Sequence, residues 1–180
     1  MSKNSPAPSS LARLSLVLGG ARSGKSRHAE QLIEQSGLAP VYLATAEALD
    51  QEMTERIAHH QTRRGSHWQT IEEPLALVSA LDQAAYDGRA VLVDCLTLWL
   101  TNLMVHDKAV TLEIDALIDS LDRQKGPIVF VSNEVGQGVT PTNAMARAFI
   151  DHAGLLHQKI AIKADRVLFM TAGLARQLKP

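Results

Sequence analysis

Eight residues, Gly19-Gly20-Ala21-Arg22-Ser23-Gly24-Lys25-Ser26, separate an apolar run at 14–18 from a helical pattern at 25–35. They satisfy G-x-x-x-x-G-K-[ST], with an apolar strand pattern before the motif and a helical one after it. Glycines let such a loop curl until several amide hydrogens converge on phosphate oxygens, and the helix that follows adds the positive end of its dipole. The motif therefore demands a strand that stops at Gly19 and a helix that starts near Lys25. That pairing is the opening unit of an α/β sheet.

The rest of the chain continues the alternation. Short Val-, Ile- and Leu-rich runs at 14–18, 41–44, 91–94, 128–132 and 166–171 read as strands, with helical patterns between them. Strands apolar on both faces belong to a parallel sheet covered on both sides, so the expected architecture is an open, mostly parallel sheet with helices on both faces. Pro74 is placed in the first turn of a helix at 75–85, a further helix covers 96–105, and Thr140-Pro141 is read as the start of a long helix through residue 162. Residues 67–72 suggest one more short strand and 175–178 a terminal edge strand. Residues 1–13 carry Ser, Pro and Asn and few large apolar groups, which predicts a flexible tail ahead of one domain at 14–180.

Charge narrows the function classes. Lys and Arg number 18 against 19 Asp and Glu, for a net charge of -1. A general nucleic-acid or anionic-membrane binder would carry a basic excess, so an anionic ligand must be met locally. The single cysteine, Cys95, permits no internal disulfide and no four-cysteine zinc site, and points to a reducing cytoplasm. No apolar run reaches the 18 or so residues of a membrane span, and residues 1–13 lack the apolar stretch of a signal peptide.

Within the loop, Lys25 is placed to reach the β and γ phosphates and Ser26 to bind Mg²⁺ through its hydroxyl. A second acid must face that metal, and Asp94, closing the strand at 91–94, is the candidate; it could equally cap the next helix. Residues 49–63 form a helical pattern in which Leu49, Met53 and Ile57 share one stripe and Arg56, His59 and Arg63 an adjacent one, with His60 between them. A cationic face bearing a histidine suits phosphate better than a metal ion, and its alternative is a solvated charged face. His28 could orient a group near the phosphates, whereas His67, His106, His152 and His157 show no metal-ligand spacing and are expected to be structural. Asn133-Glu134-Val135-Gly136-Gln137-Gly138 follows a strand at the carboxyl edge of the sheet and reads as a substrate loop. Asp151-His152-Ala153-Gly154 matches D-x-x-G but falls inside a helical pattern, and N-K-x-D is absent.

Taken in order, GGARSGKSRHAEQL, YLATAEALDQEM, RIAHHQTRR, HWQTIEEP, DCLTLWLTNL and SNEVGQGVTP resemble the bifunctional adenosylcobinamide kinase and adenosylcobinamide-phosphate guanylyltransferase family of cobalamin biosynthesis, over residues 14–179. The resemblance implies a RecA-like P-loop fold and a homotrimer with active sites near subunit interfaces. It implies phosphorylation of the aminopropanol hydroxyl of adenosylcobinamide by ATP or GTP. GMP then passes from GTP to adenosylcobinamide phosphate through a GMP adduct on the first histidine of the pair, His59. Lys25 is implied as the other catalytic group. The implied nucleotide contacts are Gly19, Gly20, Ala21, Arg22, Ser23, Gly24, Lys25, Ser26, Ala44, Thr45, Ala46, His60, Gln61, Thr62, Arg63, Glu72 and Asp94, with Mg²⁺ on Ser26 and Asp94. The chain departs from the family at His157-Gln158, where Asn-Gln is usual, and in a short segment at 105–111. No residue stands out as the kinase base, and Glu134 is the candidate. Two other readings fit the loop: a small-molecule kinase without nucleotidyl transfer, and a nucleotide-gated switch.

Overall fold

The computed structural model describes residues 11–47 and 65–180. Among them a seven-stranded sheet runs in the order β3-β2-β4-β5-β1-β6-β7. Its strands are β1 (Leu14–Gly19), β2 (Ala39–Ala44), β3 (Gln69–Glu72), β4 (Arg89–Asp94), β5 (Ile128–Asn133), β6 (Arg166–Thr171) and β7 (Leu174–Lys179). All pairings are parallel except β6 with β7. The helices are α1 (Lys25–Glu34), α2 (Leu77–Ala84), α3 (Leu96–Val105), α4 (Val110–Ser120) and α5 (Ala144–Lys163).

Side chains along each strand alternate between two cores, as the pleat requires. Leu14, Leu16 and Leu18 join Val91, Val93, Ile128 and Phe130 beneath α2 to α5, while Val17 joins Ala90, Leu92, Val129 and Val131 beneath α1. A strand buried on both faces has no room for a polar stripe, which is why β1, β4 and β5 read as mostly apolar runs, with only the small Ser15 buried inside β1. The N-terminal end of β1 is pinned by Asp165, whose Oδ2 accepts from Leu14 N at 2.9 Å while its own N–H donates to the Leu14 carbonyl.

Several boundaries differ from the sequence reading. The long helix starts at Ala144 rather than at Thr140-Pro141, because Asn143 caps it, its Oδ1 accepting from Met145 N at 2.8 Å and Ala146 N at 3.3 Å. Pro74 lies outside α2, where Glu73 Oε1 accepts from Leu75 N and Ala76 N and holds the chain one turn short of the helix. Ordered structure also extends back into the expected tail: Leu11 packs on the α1-side core, and Arg13 donates to the Leu121 carbonyl at 3.1 Å.

Phe130 is fully buried in the larger core. Phe130→Ala is expected to cost about 3–5 kcal/mol of stability, read as a lower urea midpoint at unchanged slope.

Candidate functional site

Parallel pairing brings six strand ends to one edge. Ala44 of β2 stands level with both Asp94 and Glu72, and Gly19 of β1 stands level with Asn133 and Met170. Everything the sequence placed at carboxyl ends therefore meets on one rim.

The glycine-rich loop leaves β1 through very tight contacts. A Cβ on Gly19 would lie 2.6 Å from Ser23 Oγ and 2.7 Å from the Met170 carbonyl oxygen, and one on Gly24 would lie 3.2 Å from Gly173 Cα. Gly24, at φ +92, is the N-cap of α1 and needs the left-handed conformation that glycine adopts freely. No side chain caps α1, and its first turn holds no acid, so its amide end faces the loop uncompensated. Lys25 is buried, with Nζ donating to the Gly20 carbonyl at 3.0 Å. Ser23 Oγ is buried without a hydrogen-bond partner in the protein. An orphaned hydroxyl beside an uncapped helix start fits a site built for an anion.

Asp94 continues the Ala90–Leu92 side of β4, the side that faces α1, and its Oδ2 accepts from the Tyr42 hydroxyl at 3.1 Å. The following helix is capped at Cys95 with no side-chain bond, so the alternative role of Asp94 as an N-cap does not arise. Ser26 and Asp94 thus lie on the same face of the sheet, with β5 between their strands. Two hard oxygen donors suit Mg²⁺, which binds through one or two protein oxygens and substrate phosphates rather than an all-protein cage. No group of three His, Cys, Asp or Glu is placed to hold a metal among the described residues.

Thr45 departs from what its assignment as a nucleotide contact suggests. It is fully buried, and its hydroxyl donates to the Cys95 carbonyl at 2.8 Å while accepting from Cys95 N at 2.9 Å. Asn102 Nδ2 donates to the Thr45 carbonyl at 2.7 Å. These bonds lock the end of β2 to the end of β4, leaving Ala46 partly exposed and Glu72 exposed on the rim. Burial, with the Asp94 charge beside it, pushes the Cys95 thiol up to about 11, so it stays protonated. His59, His60, Gln61, Thr62 and Arg63, with the stripe at 49–63, lie outside the described residues.

The sequence reading missed the far wall of the loop. Ala172 and Gly173, at φ 51 and 80, turn β6 into β7, and Gly173 N donates to the Ser23 carbonyl at 2.9 Å. A cavity of about 410 Å³ opens there, lined by residues 20–23, Glu134, Gln137 and residues 169–172. The loop after β5 is tied to the cradle by Glu134 N, which donates to the Gly19 carbonyl at 3.0 Å, and is folded on itself by Glu134 Oε1, which accepts from Gly136 N at 2.6 Å. Asn133 Nδ2 donates to Thr97 Oγ1 at 3.1 Å. Beneath that loop, His157 is buried with Nε2 2.7 Å from Ser132 Oγ, the structural role expected of it.

Comparison with known proteins adds to this geometry. Residues 15–178 match the family model described as cobinamide kinase / cobinamide phosphate guanyltransferase. The chain is 54% identical over 166 residues to the bifunctional adenosylcobalamin biosynthesis protein CobP of Pseudomonas aeruginosa, covering 91% of this chain and 96% of that protein. It is 40% identical to CobU of Salmonella typhimurium, described in the same words, covering 91% and 98%. Among solved structures, the flagellar accessory protein FlaH of Methanocaldococcus jannaschii superposes with a TM-score of 0.52 at 14% identity, over 93% of this chain and 78% of that one. At that identity the likeness carries the fold alone, a mostly parallel sheet with helices on both faces.

Two predictions follow from the geometry. Gly24→Ala forces a side chain into a left-handed backbone conformation costing roughly 1–2 kcal/mol, so nucleotide affinity measured by calorimetry should fall several-fold. The second concerns pH. Burial lowers the His157 pKa, opposed by the Glu134 charge, and burial with Arg166 lowers that of His28. The unfolded chain protonates at the ordinary imidazole pKa of about 6.5, while the folded protein resists. Stability is therefore intact above that pH and falls as pH drops towards 5. The urea midpoint should decline over this window, less steeply in His157→Gln.

Proposed function

The chain belongs to the cobinamide kinase / cobinamide phosphate guanyltransferase family, and we propose that both reactions in that name use the cradle formed by residues 19–26. The protein is a bifunctional enzyme of adenosylcobalamin biosynthesis, a kinase and a guanylyltransferase acting on cobinamide and its phosphate. The observation that carries the reading is the orphaned Ser23 hydroxyl beside the uncapped start of α1, with Lys25 buried among the same residues.

In the kinase step the acceptor hydroxyl oxygen bonds to the γ-phosphorus, the bond from that phosphorus to the β-phosphate oxygen breaks, and a nucleoside diphosphate leaves. The hydroxyl proton passes to the Glu134 carboxylate and then to water. Positioning and charge neutralisation supply most of the acceleration for so loose a transition state. Lys25 meets the β/γ oxygens, and the amide end of α1 meets the remaining charge. Mg²⁺, held by Ser26 and Asp94, would further neutralise the triphosphate.

For the transferase step we assign His59 as nucleophile. Its neutral imidazole nitrogen bonds to the α-phosphorus of GTP, the α–β phosphate bond breaks, and pyrophosphate leaves. A phosphate oxygen of cobinamide phosphate then bonds to that phosphorus and expels the imidazole, giving the GDP-linked product. The cationic stripe of Arg56 and Arg63 supports the assignment, since arginine complements phosphoryl oxygens bidentately. The family pattern extends the nucleotide contacts to Ala44, Ala46, His60, Gln61, Thr62, Arg63 and Glu72. Thr45 is kept for locking the strand ends.

The proposal includes ATP or GTP as phosphoryl donor, a cytoplasmic location and a homotrimer. No helix among the described residues is long and apolar enough to cross a membrane.

Incubation with [α-³²P]GTP should leave an acid-labile, base-stable label on the wild type and none on His59→Ala; a label that survives the substitution removes His59 from the mechanism. Lys25→Ala should slow both reactions by about 10²–10³, measured as nucleoside diphosphate and pyrophosphate release.

A further inference from the structure

The cavity beyond the P-loop shares Gly20 to Ser23 with the cradle, but its other lining residues, on the β5 loop and at the end of β6, have no role in the nucleotide contacts above. Those contacts, at Ala44, Ala46, Glu72 and Asp94, end β2, β3 and β4 on one side of the cradle. The cavity lies on the other side, over the ends of β5, β1 and β6. A phosphate held between the two regions has one substrate on each flank, because in-line transfer needs acceptor and leaving group on opposite sides of the reacting phosphorus.

We propose that this cavity is the acceptor subsite, and that it binds the aminopropanol arm of cobinamide while the corrin ring rests against its mouth. The proposal rests on the kinase and guanylyltransferase reading.

Three observations carry it. The first is chemical. The arm presents an amide N–H, a methyl group and a secondary hydroxyl. The cavity offers the carboxylate of Glu134, the amide of Gln137, the hydroxyl of Thr171 and the half-buried ring of Phe169. Each polar group of the arm finds a hydrogen-bonding partner of matching type, and the methyl group an apolar wall.

Size is the second. About 410 Å³ is ligand-pocket scale, sufficient for the arm and too small for a macrocycle with its amide side chains. The ring must stay outside. Val139 lies two residues beyond Gln137 and is 95% exposed, and Leu174 lies two residues beyond Ala172 and is 76% exposed. One large aliphatic side chain thus stands near each lining loop, suited to the flat apolar face of a corrin.

The third is mechanical. Both lining loops are bonded to the cradle itself, the turn by Gly173 N to the Ser23 carbonyl and the β5 loop by Glu134 N to the Gly19 carbonyl. Whatever sits in the cavity is therefore held in fixed relation to the phosphate, as proximity catalysis requires. The Ser132–His157 bond buttresses the β5 loop from below.

Steady-state kinetics of the full-length chain test this. Thr171→Trp fills the cavity from an exposed position, and should raise KM for cobinamide at least about tenfold relative to KM for ATP. A rise confined to KM for ATP would make the cavity a nucleoside pocket and overturn the proposal. Unchanged constants would overturn it too. Should Thr171→Trp fail to melt cooperatively, the surface variant Val139→Glu/Leu174→Glu decides. It should melt as the wild type does and raise KM for cobinamide, and an unchanged value refutes the corrin contact. Failure of the underlying reading looks different: the wild type itself would then release neither nucleoside diphosphate nor pyrophosphate when given cobinamide.

Discussion

The close backbone approach at Gly19 and Gly24 sets the geometry on which the rest of the site depends. At Gly19 even a methyl group would press on the Met170 carbonyl, and at Gly24 the α carbon of Gly173 stands 3.2 Å from where one would be. These contacts fold the loop back onto the end of β6 and onto the β6–β7 turn. The loop's path is consequently set by the protein's own contacts, and binding a triphosphate does not have to fund the ordering of eight residues. The same contacts make the wall of the adjacent cavity a part of the cradle. The cradle and the cavity wall are thus one structural problem, solved by the absence of side chains at two positions.

Much of the sheet was legible because burial on both faces writes itself into composition. β1, β4 and β5 have no polar stripe to confuse the reading, and the phosphate loop announces where β1 must stop and α1 begin. Legibility failed where local chemistry was ambiguous. Thr140-Pro141 carries a helix-start signal, but Asn143 competes three residues later with a side chain that can bond two amides. Leu11 sits in a polar context that reads as tail, yet one leucine suffices to anchor the chain to the α1-side core. The strands flanking the β6–β7 turn were legible, but the packing of that turn on the cradle was not, because the Gly173 N to Ser23 carbonyl bond depends on β6 lying beside β1.

In the site, residues named by motif were easier to find than residues that act through strand order. Lys25, Ser26 and Asp94 follow from a pattern and its physical requirement for a facing acid. The bonds joining Thr45, Cys95 and Asn102 depend on β2 lying beside β4, which no local window reveals. Thr45 is a nucleotide contact only by family pattern; strand order adds that its buried hydroxyl joins two strand ends. Asn133 and Thr97 are in the same position, since their bond exists only because β4 and β5 are neighbours.

Near-neutral net charge acquires a physical meaning once the site is assembled. A chain with 18 basic and 19 acidic residues projects no long-range attraction for polyanions, so its grip on phosphate must be short-ranged. Directed amides and one buried ammonium provide it, and both act most strongly where water is excluded. This matters for an enzyme whose second substrate is a bulky corrinoid bearing mostly amides. A strongly basic rim would hold the released pyrophosphate and the anionic product as firmly as the incoming nucleotide. Keeping positive charge local, at the cradle floor and on the Arg56 and Arg63 stripe of the proposed transferase step, lets recognition of the triphosphate be tight at the reacting atoms and weak elsewhere. One cradle can then hold a γ-phosphoryl group in one reaction and a departing pyrophosphate in the next.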